Sequence, residues 1–291
     1  MLLAFFFGLT VPLGLDTYLP APDGNPITPE KAALGRALFR DRALSRDRSI
    51  SCATCHDAGR AFTDDKPLAI GVDARGGNRR TPTIVNRAFG KSFFWDGRVK
   101  TLEEQVVQPI TNPREMDLPL ESAVARVRHH NFRAVFGREA NAADLAAALA
   151  TYVRTILSGD APYDRYVAGE RTALTTEAIQ GLQMFRGKAG CIACHVGFNF
   201  SDEKLHDTGS GLFKTPTLRE VAGRAPYMHD GSLNTLDEVI DLYDKGGKKV
   251  PSLDPEIRPL RLSPSEKKAL REFLRALSGR IQEGYRGAEL P

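Results

Sequence analysis

Two five-residue strings, Cys52-Ala53-Thr54-Cys55-His56 and Cys191-Ile192-Ala193-Cys194-His195, account for all four cysteines of the chain. Each has the form C-x-x-C-H. That spacing brings two thiols to the two vinyl groups of one haem and sets the adjacent imidazole below the iron. A zinc site made from two C-x-x-C pairs would not require a histidine directly after both second cysteines. A thioredoxin-like pair needs one such motif beside a βαβ unit, and no such unit is evident. The strings therefore predict two covalently bound c-type haems, anchored through Cys52, Cys55, Cys191 and Cys194, with His56 and His195 as proximal iron ligands. Attachment of this kind is completed outside the cytoplasm, so a periplasmic location is expected.

A chain of 291 residues is long enough for two medium domains. Forty Lys and Arg against thirty-six Asp and Glu leave a formal charge of +4, too small and too dispersed to suggest nucleic acid as a partner. Apolar residues at 42% and charged residues at 26% are ordinary for a soluble globular protein and argue against stable membrane insertion. Leu2 to Leu9 (LLAFFFGL) is strongly apolar but too short to span a bilayer. It resembles part of an export signal, although no Lys or Arg precedes Lys31. Residues 1–20 are thus expected to be a signal and an extended arm, with the first helix opening at Thr28-Pro29-Glu30.

An internal repeat follows the haem strings. Thr81-Pro82-Thr83 recurs as Thr215-Pro216-Thr217, Asp96-Gly97 as Asp230-Gly231, and Leu102-Glu103-Glu104 as Leu236-Asp237-Glu238, all at an offset of 134 residues. Gly35-x-x-Leu38-Phe39 similarly precedes the first string, and Gly181-x-x-Met184-Phe185 the second. The pattern predicts a duplicated unit, with an N-terminal domain over 21–162 and a C-terminal domain over 163–291. Helices are expected at Glu30–Arg40, Glu121–Arg128, Ala142–Leu157, Thr176–Phe185, Leu236–Tyr243 and Glu266–Leu277, the last after a Ser263/Glu266 capping box with Pro264 at the first helical position. Strand-like alternation is scarce. The fold class is therefore mainly α: two small cytochrome c-like domains with long loops around their haems.

The repeat also bears on the sixth ligand of each iron. At the offset of 134, Tyr243 corresponds to Pro109. A phenolate can bind iron and a proline cannot, so one haem would be closed and the other open to a small ligand. From spacing alone, a half-buried helix residue is the simpler reading of Tyr243.

The strings GGNRRTPTIVNRAF, FFWDGRVKTLEEQVVQPITNPREM and FKTPTLREVAGRAPYMHDGSLNTLDEVIDLYDKGG resemble those of the bacterial dihaem cytochrome c peroxidases and their MauG-type relatives. The resemblance covers residues 14 to 280 and implies several roles. Trp95 corresponds to the tryptophan between the haems. Gln105 and Glu115 correspond to the distal pair above the peroxide-binding haem, where a carboxyl can act as acid and base. Peroxidases that need reductive activation carry a capping histidine before the TPT string, but Ala69-Ile70-Gly71-Val72-Asp73 contains none. They place methionine where this chain has Tyr243, whereas the MauG type has tyrosine there; Met228 is the rival ligand. Relatives also bind calcium through an asparagine where this chain has Arg80, which cannot coordinate a cation. That makes a calcium site doubtful in this chain, with Asn78 and the carbonyls of Arg224 and Pro226 as the only substitute set. Of the other histidines, His129 and His130 are expected to be solvated on a polar helix, His206 to be unremarkable, and His229 to hydrogen-bond near the second haem.

The expected activity is reduction of hydrogen peroxide at an open first haem, with electrons from a small cytochrome c or copper protein (a cupredoxin) passing through the second haem and Trp95. The alternative is MauG-type oxidation of a residue on a partner protein. The third reading is a plain dihaem electron carrier.

Overall fold

The computed structural model describes residues 8–285, so most of the apolar stretch read as an export signal lies outside the described residues. The described chain is mainly helical. Helix α1 (Pro29–Arg40) is capped by Thr28, whose hydroxyl accepts from the Lys31 amide at 3.3 Å, and has proline in its first turn. The first C-x-x-C string forms the single turn α2 (Cys52–Cys55). Then come α3 (Leu102–Thr111), α4 (Leu120–Val127), α5 (Phe132–Phe136) and α6 (Ala142–Arg154). Strand β1 (Leu157–Gly159) leads to α7 (Pro162–Val167) and α8 (Thr176–Arg186). The remainder comprises β2 (Leu205–Asp207), β3 (Leu212–Lys214), α9 (Leu236–Asp244), α10 (Pro264–Arg275) and β4 (Arg280–Gln282).

The expected helices are present with shifted ends. Helix α6 stops at Arg154, because Leu157 enters β1, which pairs antiparallel with β4. Helix α10 begins at Pro264, since the Ser263 hydroxyl and Glu266 carboxylate cap it reciprocally. Helix α3 was not expected. Thr101 starts it by accepting from the Glu104 amide at 3.2 Å, and it tolerates Pro109 near its end.

Two crossed helix pairs organise the core. In the first, Gly35 of α1 lies against α6, where an added Cβ would sit 2.0 Å from the Ala148 carbonyl oxygen. In the second, Gly181 of α8 meets α10, where a Cβ would come within 1.9 Å of the Ala269 carbonyl oxygen. Only glycine permits either approach. Leu34, Leu38, Val106, Ile110, Leu145 and Leu149 fill one apolar cluster around the first pair. Around the second pair, Phe185, Phe200 and Phe273 pack edge-on or tilted with ring centroids 5.1–6.3 Å apart. Each such ring contributes on the order of 1.5–3 kcal/mol by leaving water.

Polar contacts join the halves. The Arg87 guanidinium grips Glu203 at 2.7 Å, and the Lys214 ammonium adds a contact at 3.2 Å. Burial resists a charge on Glu203, yet Arg87 and Lys214 hold its carboxyl down to about 2. Fully buried Arg219 pairs with Asp164 at 2.6 Å and also donates to the Gly14 carbonyl, which ties down the N-terminal arm. The chain end crosses back to the first half, where Ile281 joins the first cluster and Glu283 pairs with Arg36 and Arg40.

Candidate functional site

Both C-x-x-C-H strings line one continuous cavity of about 660 Å³. Its first lobe is walled by Cys52, Cys55, His56, Gln105, Pro109 and Glu115, its second by Cys191, Cys194, His195, Met228 and Tyr243. Trp95 lines the same cavity. The structure thus brings every sequence-predicted site residue to a single space.

The two histidines are prepared alike. His56 Nδ1 faces the Phe62 carbonyl at 3.0 Å and His195 Nδ1 faces the Phe200 carbonyl at 2.9 Å. A carbonyl can only accept, so Nδ1 carries the proton and Nε2 keeps its lone pair for a metal. Burial lowers both imidazoles, His195 to about 4, which favours the neutral ring. Burial also pushes the Cys52 and Cys191 thiols up to about 12 and those of Cys55 and Cys194 to about 11. The wall further contains buried nitrogens without partners among the described residues: Nε of Arg80, Nε of Arg224 and both ring nitrogens of His229. A haem in each lobe would meet an imidazole, two thiols and donors suited to its carboxylates. The residues fit the group.

In the first lobe, Glu115 sits in the turn after α3. Asn112 donates to its Oε1 at 2.7 Å, while burial raises its pKa. The histidine-free stretch packs directly on this turn, for the Val72 amide donates to the Glu115 carbonyl at 2.9 Å. Gly71 makes that contact feasible, since a Cβ there would lie 2.2 Å from the Arg114 carbonyl oxygen. Pro109, one helical turn beyond Gln105, presents an apolar ring to the first lobe. In the second lobe, α9 presents Tyr243, whose phenol burial raises to about 12.

Trp95 is held from both halves. Its indole Nε1 donates to the Arg80 carbonyl at 2.8 Å, and its own carbonyl accepts from the Lys214 amide at 2.8 Å.

A family model described as di-haem cytochrome c peroxidase matches residues 29–172. The chain is 42% identical to the methylamine utilization protein MauG of Methylorubrum extorquens, over 89% of this chain and 81% of that one. It is 30% identical to the cytochrome c551 peroxidase of Pseudomonas aeruginosa, over 88% and 81% respectively. The chain belongs to the dihaem cytochrome c peroxidase and MauG family. It is accordingly a peroxidase-type oxidoreductase with haem cofactors. The crystal structure of a MauG-like protein associated with microbial copper homeostasis superposes with a TM-score of 0.85 at 31% identity, covering 91% of this chain and 95% of that one. Among the described residues no helix is long and apolar enough to cross a membrane.

The calcium set does not fit: the Arg224 carbonyl is taken by the Arg80 guanidinium at 2.8 Å, and the Asn78 side-chain oxygen by Arg114 at 2.5 Å. His130 is only partly exposed. It follows α4 in a turn, where its Nε2 bonds Asp41 at 2.8 Å, while His129 remains exposed beside it. His229 finds no hydrogen-bond partner within the described chain and stacks on Phe213 with centroids 3.9 Å apart.

His206 is far from unremarkable. Its Nδ1 meets Asp254 at 2.6 Å and its Nε2 meets Asp202 at 2.9 Å, fastening the loop after the second string to the segment before α10. Burial opposes a charge, but the two carboxylates more than offset it and raise the imidazole above its ordinary value. A raised folded-state pKa gives stability that is complete below about pH 6.5, the usual value for histidine, and fades as pH climbs through the raised one. Thermal melts across that range should fall for the wild type, and His206→Gln should remove this part of the slope. An equal slope in both proteins would contradict it.

Proposed function

We propose that the protein uses hydrogen peroxide to oxidise a side chain on a partner protein, in the manner of the MauG type. The observation that carries this reading is the asymmetry of the two lobes: Pro109 faces the first where Tyr243 faces the second, with no histidine in the 69–73 stretch to close the first. The 42% identity to a MauG protein, against 30% to a cytochrome c551 peroxidase, supports it over the small-donor reading. In overall balance, peroxide takes two electrons and two protons to give two waters, and the partner's side chain supplies the electrons.

Two haems, held through thioethers at Cys52, Cys55, Cys191 and Cys194 with His56 and His195 as iron ligands, would supply peroxide reduction in the first lobe and storage of oxidising power in the second. The chain's own residues do the rest. Glu115, kept protonatable by burial, moves a proton between the two peroxide oxygens. Gln105 offers an amide N–H to hold peroxide in register. Pro109 leaves the first lobe open, while Tyr243 closes the second with a phenol oxygen. Trp95 supplies the aromatic connection between lobes and is positioned by both. We place the protein in the periplasm, where covalent haem attachment is completed.

We also propose that the halves, 21–162 and 163–291, arose by duplication. Support comes from backbone geometry at the offset of 134 residues. Asn86 and Glu220 have φ of 58° and 60°, Phe94 and Met228 of 64° and 71°, and the bridges Phe93↔Val99 and Tyr227↔Leu233 correspond.

The functional reading is tested by supplying peroxide with candidate reductants. With reduced cytochrome c, peroxide consumption should be slow and unsustained, whereas a genuine partner protein should gain an oxidised residue detectable by mass. Fast, sustained turnover with cytochrome c and no protein oxidation would overturn it in favour of the small-donor peroxidase.

A further inference from the structure

Arg80 is a buried cation whose two terminal nitrogens bind backbone carbonyls, while its Nε faces the cavity without a partner among the described residues. Its Nη1 donates to the Thr81 carbonyl at 3.0 Å, and its Nη2 donates to the carbonyls of Asp64 at 3.0 Å and Arg224 at 2.8 Å. The residue is only 5% exposed and forms no ion pair among the described residues. Removing an unpaired charge from water costs several kcal/mol unless fixed dipoles replace the lost hydration. Here three carbonyl oxygens do so for the two Nη groups. Convergent carbonyls are the donor type that surrounds a hard metal cation. Two of these oxygens come from the first half of the chain and one from the second, so the guanidinium spans the junction between the lobes.

The backbone of the same residue extends the connection. Its amide donates to the His229 carbonyl at 2.8 Å, and its carbonyl receives the Trp95 indole at 2.8 Å. A displacement of Arg80 would therefore move Trp95.

We propose that the Arg80 guanidinium is the resident cation of this junction, doing the work of a bound metal ion and acting as a positioning residue for Trp95. The protein then carries its junction cation covalently, and neither chelators nor added divalent ions should alter the junction. The inference draws on the proposed function only for the importance of Trp95, and its readouts need no peroxide.

The test uses the resting holoprotein. Trp95 is the only tryptophan of the chain, so the indole N–H marker band in ultraviolet resonance Raman spectra reports on its bond to Arg80 directly. After exhaustive treatment with a calcium chelator, the wild type should keep its bonded-indole band and melting temperature, and added calcium should change neither. Arg80→Gln should lose the bonded band and melt earlier, Arg80→Lys should retain much of both, and guanidinium ion should restore Arg80→Ala where sodium does not. A wild type that loses the band on chelation and regains it with calcium would overturn the proposal. So would an Arg80→Gln protein matching the wild type, or Gln and Lys variants equally impaired. If the variants fail to fold, the chelation arm alone still decides. Should peroxide prove inert while the band resists chelation, the functional reading fails and the cation assignment stands.

Discussion

Glu115→Gln is expected to slow the reaction of the holoprotein with hydrogen peroxide by about 10²–10⁴-fold, the range that a positioned acid–base group contributes. Glutamine is nearly isosteric, so it can keep the contact with Asn112, which donates to Glu115 at 2.7 Å. It cannot take up and release a proton. Burial raises the pKa of Glu115 and thereby favours the proton-holding form that such a role needs. Stopped-flow mixing with peroxide measures the rate. A variant as fast as the wild type would place the proton transfer elsewhere.

Trp95→Phe should separate the two lobes. Peroxide uptake in the first lobe should persist, because the Trp95 indole bonds Arg80 and the Glu115 carboxylate bonds Asn112, with no hydrogen bond between them. The spectral signature of oxidation in the second lobe should form more than about tenfold more slowly, which a rise of roughly 1.4 kcal/mol in the barrier suffices to produce. Loss of the indole donor also strands the Arg80 carbonyl, at a cost of about 1 kcal/mol in stability. A melt separates that structural cost from the kinetic effect. Unchanged oxidation of the second lobe would remove Trp95 from the pathway.

Much of the site was legible because its chemistry fixes residue types at fixed spacing. The haem strings needed no structural context, and the capping box before α10 specified its own start. Helix α3 was missed because Pro109 and the following Thr111-Asn112-Pro113 resemble a breaker, whereas Thr101 caps the helix and its proline falls in the last turn. Long-range partners were invisible by nature. His206 acquires its role from Asp254, which is remote in sequence, and Arg80 from the Arg224 carbonyl across the junction. Nothing local distinguishes Glu115 from a solvated loop charge, and only family resemblance singled it out. Its burial comes from the packing of Gly71 and Val72, which no single segment encodes.

The central claim is that the two lobes hold their irons unequally, one open beside Pro109 and one closed by Tyr243. Electron spin resonance of the resting ferric holoprotein, compared with its Tyr243→Phe variant, tests it most directly. One high-spin and one low-spin signal are expected, with the substitution changing only the low-spin one. Two low-spin signals, or a variant spectrum identical to the wild type, would contradict it.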